Sequence, residues 1–111
     1  VTIAINYGGR DEIIRAIKKI FNFPAFAKAS AGRQFSNLTK EKFGQYLDTA
    51  GMPEPDMIIR PGGEHRLSGF LLWQAEYAEL YFTDVLFPDF GVEEFDKALR
   101  WYAGRERRFG R

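Results

Sequence analysis

At 111 residues the chain is long enough for one domain and too short for two. Its 45% hydrophobic and 16% aromatic content, with 11 Phe, can build a core. The absence of cysteine excludes a disulfide scaffold and a thiolate metal site, and a net charge of +1 gives no global attraction to nucleic acid or an anionic membrane. No apolar run approaches the ~20 residues of a membrane-spanning helix and no signal peptide is evident. With a cysteine-free composition that fits a reducing cytosol, a cytoplasmic protein is expected, with peripheral association at the inner membrane face left open.

Val1–Asn6 alternates β-branched and small residues and reads as a buried strand. A domain rarely begins on such a strand, so the expectation is a piece of a longer protein whose N-terminal part is missing. Tyr7-Gly8-Gly9-Arg10 reads as a turn. Asp11 to Phe21 is expected to be a helix: Ile13, Ile14, Ile17, Ile20 and Phe21 share one face, with Asp11 and Glu12 at the start and Lys18 and Lys19 at the end complementing the dipole. Residues 22–37 show no clean period and read as a loop. Thr39 to about Leu47 is a short helix, with Thr39 as N-cap and Leu38 and Phe43 placed as a hydrophobic staple. Gly51 to Pro55 is a turn.

Asp56 to Arg60 reads as a second strand, pairing in parallel with the first through the crossing helix 11–21. Phe70 to Tyr77 is expected to be a helix buried nearly all round. Leu80-Tyr81-Phe82 makes a short third strand, and Pro88 to Gly91 a turn. Val92 to about Phe109 is a long helix, with Val92, Phe95, Leu99 and Tyr102 on one face and a basic last turn. Phe70, Trp73, Phe82 and Phe87 read as core. The fold class is α/β, a parallel sheet flanked by helices.

The chemistry concentrates in Arg60-Pro61-Gly62-Gly63-Glu64-His65-Arg66-Leu67-Ser68. Glycines allow close approach of backbone to a ligand, N–H groups at a helix start attract anions, and arginine forks onto phosphate oxygens. Ligands of open α/β sheets bind beyond the carboxyl ends of strands, where both glycine turns are expected. The residues point to a phosphate or diphosphate site. The plain alternatives are surface ion pairs of Arg60 and Arg66 with Glu64 and Asp56, a solvated Glu79 and a simple glycine turn. The basic end at 105–111 is short, carries Glu106 and lacks interleaved aromatics, which argues against nucleic acid.

Asn6 to Arg10, Arg60 to Ser68, Phe70-Leu71-Leu72-Trp73-Gln74, Tyr81-Phe82-Thr83 with Pro88-Asp89-Phe90, and Arg105 to Gly110 occur in that order. Together they resemble the C-terminal half of the cis-prenyltransferases, the family of bacterial undecaprenyl diphosphate synthases. The resemblance implies the C-terminal part of that fold, without its N-terminal half, as a single partial domain over 1–111. It implies condensation of isopentenyl diphosphate with an allylic diphosphate such as farnesyl diphosphate, giving a cis-polyprenyl diphosphate for cell-envelope lipid carriers. Mg2+ as cofactor, a homodimer and a membrane-associated product made by a chain that is not transmembrane follow from the same resemblance. Arg60 and Arg66 match the arginines on the diphosphate of isopentenyl diphosphate, Leu67 and Ser68 complete that contact, and Glu79 matches the metal-binding glutamate. The Arg108-Phe109-Gly110 tail resembles an Arg-x-Gly ending that reaches the neighbouring subunit's site, and His65 lies near the metal in some relatives.

Pro61, Gly69 and Phe87 stand where the family usually has Thr, Asn and Trp. The family's His-Met-Asp-Gly-Asn motif, source of the catalytic aspartate, does not occur in these 111 residues. The residues alone are therefore expected to be inactive. Two other readings stay open: a non-catalytic subunit that completes a partner's site, and a generic phosphate-binding module.

Overall fold

The computed structural model describes residues 1–22, 36–106 and 108. They form two compact units, Val1–Pro53 and Glu54–Arg111. The loop expected over 22–37 lies almost wholly outside the described residues, as do Phe109 and Gly110 of the expected tail.

In the first unit, Val1–Asn6 is not a strand. Its apolar side chains Val1, Ile3 and Ile5 are exposed. A strand exists only through ladder bonds to a neighbour, and this segment has none among the described residues. Helix α1 spans Gly9–Phe21, starting two residues earlier than expected, with Asp11 and Glu12 in its first turn and Lys18 and Lys19 in its last. Its buried stripe is Glu12, Ala16 and Ile20, four apart, with Gly9. Of the expected apolar face only Ile20 is buried, while Ile14, Ile17 and Phe21 are exposed. Polar bonds select the buried stripe. Glu12, Arg15 and Lys19, successive positions on that side of α1, all bond to residues 46–48.

Helix α2, Lys40–Gly44, starts as expected: Thr39 is extended and its Oγ1 accepts from Lys42 N at 3.2 Å. Phe43 within it and Leu47 beyond it are buried. The chain then turns, and Gly51 takes φ +79°, the left-handed region that glycine enters without penalty.

The second unit holds a two-stranded parallel sheet of β1, Met57–Arg60, and β2, Glu79–Phe82. Met57 pairs with Glu79 and Arg60 with Phe82. The partner of 57–60 is thus the segment 79–82 and not Val1–Asn6, and the crossover is residues 61–78 and not α1. This crossover is built of turns, and the helix expected over Phe70–Tyr77 does not form. Ser68, Gly69 and Leu71 have φ of +49°, +83° and +48°, incompatible with a right-handed helix. Phe70, Leu72 and Tyr77 are exposed there and Gln74 is buried, so burial on all sides is also not realised.

A 3-10 turn at Phe87–Asp89 with Pro88 near its start precedes helix α3, Val92–Ala103. Helix α3 stops well short of Phe109. The Gly104 N–H reaches back to the Arg100 and Trp101 carbonyls, and glycine is a poor helix former. Ala98 is its buried residue, whereas the expected face of Val92, Phe95 and Leu99 is exposed, as is Phe87. No helix among the described residues is long and apolar enough to cross a membrane.

Candidate functional site

Beyond the carboxyl end of β1, Pro61 to Ser68 folds back on the loop that follows β2. Gly62 N donates to Val85 O at 2.8 Å, Gly63 N to Thr83 O at 2.9 Å, and Thr83 N to Arg60 O at 3.2 Å. Gly62 and Gly63 have φ of +97° and +79°, and a Cβ on Gly63 would lie 3.3 Å from Asp84 Oδ1. These glycines thus knit the two loops together. The expected anion cradle of free N–H groups at a helix start is not formed, because both donors are used and no helix begins there. Anion affinity at this loop must come from side chains.

Those side chains are in place. Arg60 Nη1 donates to the Arg66 carbonyl and to Ser68 Oγ, the latter at 3.0 Å. Arg60, Leu67 and Ser68 line a cavity of about 320 Å³ together with Ile58, Ile59 and Phe70. Three of the four expected substrate contacts therefore meet in one pocket, whose lining combines a guanidinium and a hydroxyl with apolar side chains. Arg66 is turned to Glu64, at 2.6 Å, a surface ion pair of the kind the plain reading allowed. Both partners are largely exposed, and such pairs contribute little and are readily exchanged. His65 stacks on Phe82 with ring centroids 5.1 Å apart.

Glu79 stands apart from this group. It opens β2, at the end of the sheet away from Arg60, and three residues of strand rise about 10 Å. Strand alternation places Glu79 and Tyr81 on one face and Phe82, in register with Arg60, on the other. The contacts agree: Tyr81 meets Trp101 of α3 edge-on at 5.2 Å, while His65 covers Phe82. Glu79 Oε2 accepts from Arg105 Nε at 3.1 Å, and the Arg105 guanidinium lies 5.1 Å above the Trp101 ring. Arg105, read from the sequence only as part of a basic tail, was missed as a partner of Glu79; its signal was its place just past Gly104. Arg108 pairs with Glu106 at 2.9 Å.

No cluster of three or more His, Cys, Asp or Glu side chains that could hold a metal occurs among the described residues. One half-enclosed carboxylate such as Glu79 still suits Mg2+, which takes one or two protein carboxylates and completes its shell with phosphate and water oxygens.

The family model described as putative undecaprenyl diphosphate synthase matches residues 1–110. The isoprenyl transferase of Aquifex aeolicus is 51% identical over 111 residues, covering all of this chain and 44% of that protein. That of Thermus thermophilus is 51% identical over 112 residues, covering 42% of its length. Among solved structures, the lavandulyl diphosphate synthase of Lavandula x intermedia, in complex with dimethylallyl diphosphate, superposes with a TM-score of 0.82 at 40% identity, over 97% of this chain and 45% of that one. A probable undecaprenyl diphosphate synthase from Campylobacter jejuni gives 0.73 at 40% identity, over 97% and 46%. The chain spans under half the length of these relatives. It belongs to the undecaprenyl diphosphate synthase family of prenyltransferases.

Proposed function

We propose that the full-length protein is a cytoplasmic cis-prenyltransferase. It condenses isopentenyl diphosphate with an allylic diphosphate such as farnesyl diphosphate to give a cis-polyprenyl diphosphate, precursor of a cell-envelope lipid carrier. This segment contributes the isopentenyl diphosphate site. The observation that carries the reading is the cavity of about 320 Å³, lined by Arg60 and Ser68 together with the apolar Ile58, Ile59, Leu67 and Phe70. A five-carbon diphosphate has the matching halves, a charged head and a small apolar tail. Arg60 takes the head through charge-assisted bonds, and Arg66 leaves Glu64 for the more strongly charged ligand.

Glu79 would hold Mg2+, which neutralises charge on a diphosphate when bound. Because Glu79 lies on the opposite face and end of the sheet from Arg60, it and the Arg108 tail serve the site of the neighbouring subunit in a homodimer. The family's aspartate motif lies outside these residues, so the 111 residues alone have no transferase activity.

The test is steady-state kinetics of the full-length protein. Arg60→Ala should raise KM for isopentenyl diphosphate by about ten- to a hundredfold, the worth of one or two bonds to a charged group. A KM within twofold of the parent would overturn the assignment.

A further inference from the structure

Glu79, proposed above as a metal ligand, already holds a cation. Arg105 Nε bonds its Oε2 at 3.1 Å, and the guanidinium is steadied from below by the Trp101 ring, 5.1 Å away. Trp101 is itself braced edge-on against Tyr81 of β2, and Arg105 N is tied to Tyr102 O at 3.0 Å, so both ends of this side chain are anchored. The Arg105 side chain is half exposed, whereas that of Glu79 is 19% exposed. The bond to Glu79 uses Nε, one corner of a planar fork of five N–H donors. The pair thus presents one negative and one positive group side by side, the charge pattern complementary to a divalent cation carried on a diphosphate.

We propose that Arg105 is a further binding residue of this site. It is the counter-ion of Glu79 when no ligand is bound, and it passes to the diphosphate when a metal–diphosphate pair arrives. A bare divalent cation must displace or sit beside a guanidinium and is repelled. A cation that brings its own diphosphate reverses that sign, since the anion takes the guanidinium as the carboxylate takes the metal. Glu79 therefore accepts metal together with diphosphate in preference to metal alone. The proposal rests on the reading of Glu79 as a metal ligand.

The experiment is Mn2+ binding to the full-length protein, followed by electron paramagnetic resonance, with Mn2+ alone and with saturating inorganic diphosphate. Arg105→Ala and Arg105→Gln should tighten binding of Mn2+ alone, by up to about fivefold, the worth of an exposed ion pair. The same variants should weaken binding of Mn2+ with diphosphate by about tenfold, one lost charge-assisted contact. Arg105→Lys keeps the charge and should hold bare Mn2+ within about twofold of the parent. Opposite signs in the two titrations distinguish this role from structural damage, which weakens both. Losses in both, or no change in either, would overturn it while leaving Glu79 as ligand. Unchanged Mn2+ affinity in Glu79→Gln would remove the metal-ligand reading and the proposal with it. Should Arg105→Ala fail to fold by thermal melting, the Gln and Lys variants decide.

Discussion

Arg60 is positioned before any ligand is present. Its guanidinium is held by the Arg66 carbonyl and by Ser68 Oγ, so less rotamer freedom is lost on binding than for a free arginine. Arg60→Lys keeps the charge and loses the fork, and should raise KM for isopentenyl diphosphate with kcat little changed. Gly63 is needed for a different reason: its φ of +79° strains any residue with a Cβ, and that Cβ would lie a tight 3.3 Å from Asp84 Oδ1. Gly63→Ala should lower stability by about 1–2 kcal/mol, the usual penalty of a left-handed non-glycine residue, read by chemical denaturation. That Arg60, Leu67 and Ser68 belong together was legible in the sequence, because their spacing carries a family pattern, and they do line one cavity. The fate of the Gly62 and Gly63 N–H groups was not, since their acceptors, Val85 and Thr83, lie twenty or more residues away in the chain.

At the scale of elements, α1 is fastened to the turn around residue 48. Arg15 bridges Asp11, at 2.7 Å, and both Asp48 oxygens, at 2.7 and 2.6 Å. The hydrogen bonds from Arg15 hold the Asp48 carboxyl below the ordinary carboxylate range, against the opposing effect of burial and with smaller help from the charges of Arg15 and Lys19. A carboxyl whose folded pKa is depressed stabilises fully above its unfolded value near 4, and that stabilisation is lost as pH falls through the folded value. Asp48→Asn should therefore flatten the acid limb of a stability–pH profile below about pH 4, and added salt should weaken the effect in the parent because both groups are partly exposed.

Beside this bridge, Glu12 is fully buried, accepting from the Tyr7 hydroxyl and from Asp48 N at 2.9 Å. Tyr7→Phe would strip a donor from a buried carboxylate and should cost about 1–3 kcal/mol in a denaturant melt. The C-terminal limit of α1 and the Thr39 cap were legible because they are local signals, whereas its start at Gly9 fell in a segment that reads as a turn. The buried stripe was not, because a glutamate at its head is chosen by Tyr7 and Asp48 and not by hydropathy. Val1–Asn6 and Phe70–Tyr77 failed for related reasons. A strand depends on a neighbour that its own sequence does not name. An apolar, helix-like run yields where Ser68 and Leu71 adopt positive φ, which neither residue type announces.

For the whole molecule, the two faces of the β1–β2 sheet matter most. Arg60 and Glu79 sit at opposite ends and on opposite faces, which is the ground for the proposal that they serve sites of different subunits. Co-folding Arg60→Ala subunits with Glu79→Ala subunits should then regenerate one intact site in each mixed dimer, and on the order of a quarter of parental activity for random pairing. No recovery would place both residues in one subunit's site. The central claim is that the cavity beside Arg60 receives isopentenyl diphosphate, and a crystal structure of the full-length protein with that substrate tests it most directly. The expected result has diphosphate oxygens on the Arg60 guanidinium and the five-carbon tail against Ile58, Ile59, Leu67 and Phe70. A substrate bound elsewhere, with Arg60 still turned to Ser68 and the cavity vacant, would contradict it.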